Sequence, residues 1–280
     1  MRCGGGDGVI LEKFHGLGND FLVLLDPPDT ADAPVDWAAV ARRVCDRRRG
    51  VGADGLLIGR SGDGSWSMTL HNSDGSPAEI SGNGIRCFAQ ALHGRDAADR
   101  FVIDTAAGRR TVEVLEIDGP EMLSSVWMGS VVRRDAPDGW SAIGCNPDRP
   151  VAHLDLGNPH SVVGVEDVDA VDLAPIGGQV PQVNLEIVEP ATGRHEVRMR
   201  VHERGAGITE ACGSGACATA FAALDWGLVS ADPEGTVTVH MDGGTVRVRV
   251  DGSEVTLIGP SVRIARIEVD RSVFDLSGVR

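Results

Sequence analysis

Hydrophobic and polar residues alternate along most of this chain in short runs. VILEKF, FLVLLD, GLLIGR, WSMTLHN, FVIDT, TVEVLEI, EVRMRVHE, TVTVH, TVRVRV and EVTLIG are mostly valine-rich and bounded by Gly, Asp, Asn or Pro. Alternation of period two closed by turn residues predicts strands. A helical pattern is clear only over residues 36–47 (DWAAVARRVCDR), over 83–94 after SGNG, and over 214–227 (SGACATAFAALDWG), whose last glycine suits a helix C′ position. Many strands with one well-marked helix per half predict an α+β protein of two pseudo-symmetric lobes. Each lobe is a curled, mostly antiparallel sheet around its own central helix.

The pattern also repeats. Residues 66–84, WSMTLHNSDGSPAEISGNG, lie without a gap over residues 197–215, VRMRVHERGAGITEACGSG, at a constant offset of 131. Met68 falls on Met199, His71 on His202, Glu79 on Glu210, Ser81 on Cys212, and Gly82 and Gly84 on Gly213 and Gly215. Such an offset marks an internal duplication, and two copies suit a two-lobed molecule better than a solenoid. The lobes are expected to divide near residue 121: residues 1–121 joined by the terminal strand and tail (266–280), then residues 122–265.

Length and charge narrow the function classes. A chain of 280 residues can fill two cores. Its net charge of −15 repels phosphate backbones and argues against nucleic acid as a partner. No apolar run approaches the roughly 18 residues of a membrane span, and MRCGGGDGVI at the start has no apolar signal region. The reading is a soluble cytoplasmic protein. Six cysteines (Cys3, Cys45, Cys87, Cys145, Cys212, Cys217) include no CxxC pair, as in a reduced chain. HEVRMRVHE spaces its histidines by seven, not the four of a helical zinc site, so no metal is expected. Lys13 is the single lysine, so a pyridoxal phosphate Schiff base would rest wholly on it, and no cofactor is expected.

The duplicated loop carries the candidate chemistry. A cysteine at a helix start is favoured as thiolate by unpaired N–H groups and the helix dipole, which lower its pKa from about 8.5 to about 3.5–7.5. Flanking glycines let a ligand approach the backbone, and the same N–H groups bind carboxylates. Two such loops facing each other would clamp one carboxylate and set one side chain on each face of the adjoining carbon. Inverting a stereocentre needs that arrangement: a base on one face, an acid on the other, and no cofactor. Taken alone, Cys212 equally suits a buried, inert cysteine; Cys87 and Cys217, inside the expected helices, read as packing residues.

Six motifs carry a resemblance: KFHGLGNDFLV (13–23), RRRGVGADGLLI (47–58), NSDGSPAEISGNGIRC (72–87), GNPHSVV (157–163), VNLEIVEP (183–190) and ERGAGITEACGSGACA (203–218). In order and over nearly the whole chain, they resemble the diaminopimelate epimerase family. The resemblance implies a cofactor-independent epimerase with its site in the cleft between two lobes, inverting one α-carbon of LL-diaminopimelate to the meso form for lysine and peptidoglycan synthesis. It also implies a small-molecule amino-acid substrate and, commonly, a homodimer. Cys212 matches one catalytic thiol, and Ser81 occupies the place of the other. The backbone of Gly82 and Asn83 and of Gly213 and Ser214 would hold the reacting carboxylate. Asn19, Asn72, Asn158, Asn184 and Arg204 match substrate-contacting positions, with Arg204 suited to a distal carboxylate. Glu203 would lie near the reacting amine, and His160 and Glu203 would orient or polarise the catalytic pair. Blander roles exist for some of these: Asn19 and Asn158 suit turns, Arg204 a surface ion pair, His160 a satisfied core histidine.

The sequence departs from the family pattern in three places. Ser81 replaces a required thiol, Ile208 stands before Thr209 where glutamate is usual, and Leu70 and His71 stand where an aromatic residue is frequent. A serine has no accessible anion, so the two-base mechanism should be crippled. The serine fits either a substitution made to trap substrate or natural divergence. Two alternatives remain open: a racemase of another amino acid, such as O-ureidoserine, or an inactive homologue that only binds.

Overall fold

The computed structural model describes residues 8–27 and 35–274. Cys3 and the tail beyond residue 274 lie outside the described residues. The first half holds strands β1 (Val9–Gly16), β2 (Asn19–Leu25), β3 (Gly55–Ser61), β4 (Trp66–Asn72), β5 (Pro77–Ala78), β6 (Arg100–Thr105), β7 (Gly108–Asp118), β8 (Glu121–Ser130) and β9 (Val132–Arg133), with helices α1 (Trp37–Val44) and α2 (Gly82–Asp96). The second holds β10 (Val151–Asp155), β11 (Pro159–Gly164), β12 (Asn184–Pro190), β13 (Glu196–Glu203), β14 (Gly207–Thr209), β15 (Thr236–Met241), β16 (Gly244–Asp251) and β17 (Glu254–Val269), with helices α3 (Leu173–Gly177) and α4 (Gly213–Asp225).

The duplication is visible in the pairings. In the first lobe β1–β2 is antiparallel, β2–β3 parallel, β3–β4 antiparallel, β4–β6 parallel, and β6–β7 and β7–β8 antiparallel. Strands β10, β11, β12, β13, β15, β16 and β17 repeat that series sense for sense in the second. The molecule is thus α+β with two pseudo-symmetric lobes, as the alternation predicted. The ladders are joined, however. β8 pairs with β17 across the centre, β17 runs on from Val262 to Val269 along β1, and β9 pairs with β10. Each lobe lends its final strand to the first strand of the other, so hydrogen bonding is continuous. Alternation marks a strand but not its partner, which is why the pairings of β9 with β10 and of β8 with β17 do not show in the sequence, where only a return of the terminal strand to the first lobe is expected.

Helices α2 and α4 are buried through their first two turns. Both pack into one continuous cluster that includes Phe14, Phe21, Phe88, Met199, Val239 and Leu257. Outside the sheets, α1 covers a second cluster with Leu22, Leu56 and Val40, and α3 covers a third with Leu185, Ile187 and Leu173. Helix α1 starts at its Asp36 cap but stops at Val44, short of the expected 47, because Asp46 Oδ1 accepts from the N–H groups of Arg48 and Arg49 and turns the chain. Helix α3 is too short to show a period in sequence. Lys13 is tied to Asp20 at 2.9 Å and to Gly52 O at 2.7 Å.

Candidate active site

The two glycine-rich loops meet at the centre of the molecule. Ser81 caps α2 with φ −130° and ψ 123°, and its Oγ accepts from the Gly84 N–H at 3.0 Å. Cys212 caps α4 with φ −127° and ψ 112°, and its Sγ accepts from the Gly215 N–H at 3.3 Å. Hydroxyl and thiol therefore occupy one backbone setting, repeated. A Cβ built on Gly82 would lie 2.8 Å from Gly213 Cα, and one on Gly213 would lie 2.8 Å from Gly82 Cα. Only glycine permits that approach. Two helix N-termini, each with unpaired N–H groups and a positive dipole end, converge on one spot suited to an anion. Gly82→Ala should force the helix ends apart and destabilise the fold by about 1–3 kcal/mol through overpacking. Denaturant unfolding checks this, and an unchanged unfolding free energy would mean the helix ends are not held this closely.

Around Cys212 the residues form a chain of contacts. The buried thiol lies 3.7 Å from Ser214 Oγ, which accepts from Asn158 Nδ2 at 3.1 Å. Asn158 Oδ1 faces His160 Nε2 at 3.0 Å, and His160 Nδ1 meets Glu186 Oε1 at 2.7 Å, with both members of that pair fully buried. Burial pushes the Glu186 carboxyl up, against the pull of His160, and its Oε2 has no partner. Glu203 accepts from Thr209 Oγ1 at 2.5 Å, and burial pushes its carboxyl up as well.

The surroundings of Cys212 oppose the expected thiolate. Burial, followed by the charges of Glu203 and Glu186, pushes its pKa well above the ordinary thiol value, and the Gly215 N–H and Ser214 hydroxyl do not reverse this. The helix end is present, but desolvation and two facing carboxyls outweigh it. Cys212 rests as a thiol. Cys87 and Cys217 are buried inside α2 and α4, each with its thiol pushed to about 12 by burial.

In the first lobe Asn19 donates to Asp54 Oδ2 at 2.7 Å and accepts from Asn83 Nδ2 at 3.4 Å, while Asn83 also donates to Ala211 O at 3.1 Å. Asn19 thus addresses the first turn of α2 as Asn158 addresses that of α4, each from the start of its lobe's second strand. Arg204 and Asn184 are joined: Asn184 Oδ1 accepts the Arg204 backbone N–H at 2.9 Å, and Asn184 Nδ2 donates to Pro159 O at 3.1 Å. The Arg204 guanidinium pairs with Glu79 from the other lobe at 2.6 Å. Exposed Asn72 donates to Ser76 Oγ at 3.1 Å in its own turn. Sequence reasoning missed Glu186, Thr209, Asp54 and Arg86. Glu186 left a signal, an acid at the centre of the apolar strand NLEIV, whose partner His160 only the fold reveals.

A family model described as diaminopimelate epimerase matches residues 12–133 and 153–264. The diaminopimelate epimerase of Mycobacterium tuberculosis is 38% identical, covering 92% of this chain and 96% of that protein. The diaminopimelate epimerase of Rhodococcus erythropolis is 40% identical, covering 90% and 93%. Among solved structures, a predicted epimerase from Pseudomonas aeruginosa superposes with TM-score 0.71 at 16% identity, covering 93% of this chain and 99% of that one. A hydroxyproline epimerase from Agrobacterium vitis, with bound trans-4-hydroxy-L-proline, superposes with TM-score 0.68 at 15% identity, covering 95% and 94%. These two share the fold.

Proposed function

The chain belongs to the diaminopimelate epimerase family, an isomerase family of amino-acid epimerases, and from that premise we propose that it inverts the α-carbon of LL-diaminopimelate to the meso form without a cofactor. The matched caps over touching helix ends carry this reading. In it, the amides of Gly82, Asn83, Gly213 and Ser214 hold the α-carboxylate, and Cα lies between the side chains of residues 81 and 212. A base on one face takes the α-proton while an acid on the other delivers a new one. Cys212, resting as a thiol, suits the donor. Position 81 must then supply the base, which serine cannot do, so the chain binds substrate but turns it over very slowly. Asn158, His160 and Glu203 orient the Cys212 side of the pair. Arg204 and Asn184 receive the distal carboxylate, and Asn19 and Asn72 complete the first-lobe wall.

The same reading divides the lobes near residue 121, with the terminal strand returning from about 266 to the first lobe; the pairing of β17 with β1 supports the return. It also places the enzyme in the cytoplasm as a homodimer, which light scattering checks. A second reading, a racemase of another amino acid, draws on Ile208: this residue is 42% exposed and adjoins Thr209, which holds Glu203. The deciding experiment is a racemisation assay of the Ser81→Cys protein over LL-diaminopimelate, O-ureidoserine, glutamate and proline. Inversion of diaminopimelate alone is expected. Inversion of another member instead would establish the second reading, and no inversion at all would leave a binding protein.

A further inference from the structure

Arg86 is fully buried and is the largest of the wholly enclosed side chains among the described residues. Its guanidinium donates from Nη1 to Gly82 O at 2.9 Å, from Nη2 to Asn83 Oδ1 at 2.8 Å and from Nε to Pro260 O at 3.1 Å. All three acceptors are neutral. Among the described residues no carboxylate pairs with it. The titratable groups acting on it are the thiols of Cys87 and Cys217, and both are uncharged near neutral pH. Asp20, the buried acid of the same lobe, is already paired with Lys13 and Arg47. The enclosure is cut to fit: a Cβ on Gly16 would lie 3.2 Å from Nη2, and one on Gly259 would lie 3.2 Å from Cζ.

A buried charge without a counter-charge is costly, and a packed hydrophobic side chain would serve stability as well or better. The duplication does not account for it either, since Cys217 stands at the equivalent place in α4. Two of its hydrogen bonds end on the first two residues of α2, where two helix N-termini already converge. Positive charge accumulates there from three sources, and the carboxyls of Glu203 and Glu186 act on Cys212 rather than on Arg86.

We infer that Arg86 is a positioning residue whose missing counter-ion is the α-carboxylate of the substrate, held across the backbone of Gly82 and Asn83; this rests on the function proposed above. The guanidinium does not touch the ligand. It braces the α2 end against Pro260 and supplies a fixed charge in a region with little water to screen it. The same charge assists the chemistry, because removing the α-proton shifts negative charge onto the carboxylate, where a preorganised cation is worth more than in the ground state.

The chain as written suits the test, since Ser81 lets ligands bind without turnover. Calorimetry would compare L-2-aminopimelate with its α-carboxamide on the unaltered, Arg86→Met and Arg86→Lys proteins; a single amino end prevents the amide from binding reversed with its amine in place. Arg86→Met should weaken the carboxylate ligand about tenfold or more and the carboxamide about threefold or less, as loss of a nearby charge demands. Arg86→Lys should retain the preference at low pH and lose it as pH rises through the depressed pKa of a buried ammonium, whereas the arginine protein keeps it. The lysine arm decides the matter if Arg86→Met does not fold. Equal losses for both ligands, no loss for either, or a lysine protein whose preference ignores pH would each overturn the inference. If neither LL-diaminopimelate nor L-2-aminopimelate binds the unaltered chain, the substrate reading itself falls, and the inference with it.

Discussion

Ser81→Cys is expected to raise the rate of α-carbon inversion by at least about 10²–10⁴-fold, the usual worth of a general acid–base group, with more available because the two sides act as a pair. The change is small in structural terms. Ser81 and Cys212 hold nearly the same dihedrals and each accepts from the N–H three residues on, so a thiol at 81 inherits an existing geometry. What it adds is an accessible anion. With Cys212 resting as a thiol under the influence of burial, Glu203 and Glu186, a base is lacking on the other face, and a serine hydroxyl does not ionise near neutral pH. Chiral chromatography of the product measures the gain. A following Cys212→Ser change should abolish it. The unaltered chain should bind substrate nearly as well as the Ser81→Cys protein and show at most a trace of α-proton exchange with deuterium, confined to one stereoisomer. Equal inversion rates for the unaltered and Ser81→Cys proteins would remove the two-thiol assignment.

Arg204→Met should weaken diaminopimelate binding by at least about tenfold. A charge-assisted hydrogen bond is worth about 1.5–3 kcal/mol, and about 1.4 kcal/mol is one factor of ten. In the structure Arg204 already faces a carboxylate, that of Glu79, with side-chain exposures of 37% and 42%. Exposed pairs of this kind contribute about 0–1 kcal/mol, so Glu79 competes weakly with an incoming distal carboxylate. Asn184 holds the Arg204 backbone, and a methionine leaves that bond intact, so the loss reports the charge. Calorimetry checks it. Affinity that barely changes would mean the natural substrate lacks a distal carboxylate, in favour of the alternative amino acid.

Much of the site was legible because its signals are local. A residue that begins a helix, two glycines after it and a preceding alternating strand are all contiguous, and a constant offset placed Ser81 on Cys212 without any knowledge of the fold. Asn19 and Asn158 came instead from the family resemblance, each in a short motif at a strand start. Residues that act through distant partners were not legible. Glu186 and His160 stand 26 positions apart on neighbouring parallel strands, and Arg86 matters because of Pro260, far along the chain.

The sequence by itself determined the α+β class, the two related halves, the helices that follow the loops at 81–84 and 212–215 and the family, since each rests on periodicity, turn chemistry or contiguous motif. Only the tertiary structure decided that Gly82 and Gly213 touch, that β9 pairs with β10 and β8 with β17 across the lobes, and that burial and two carboxyls hold the Cys212 thiol above its ordinary range. Those outcomes depend on which surfaces exclude water from one another and which charges they bring together. Burial and charge proximity are properties of packed neighbours, and a helix N-terminus read from sequence states only one of the competing contributions.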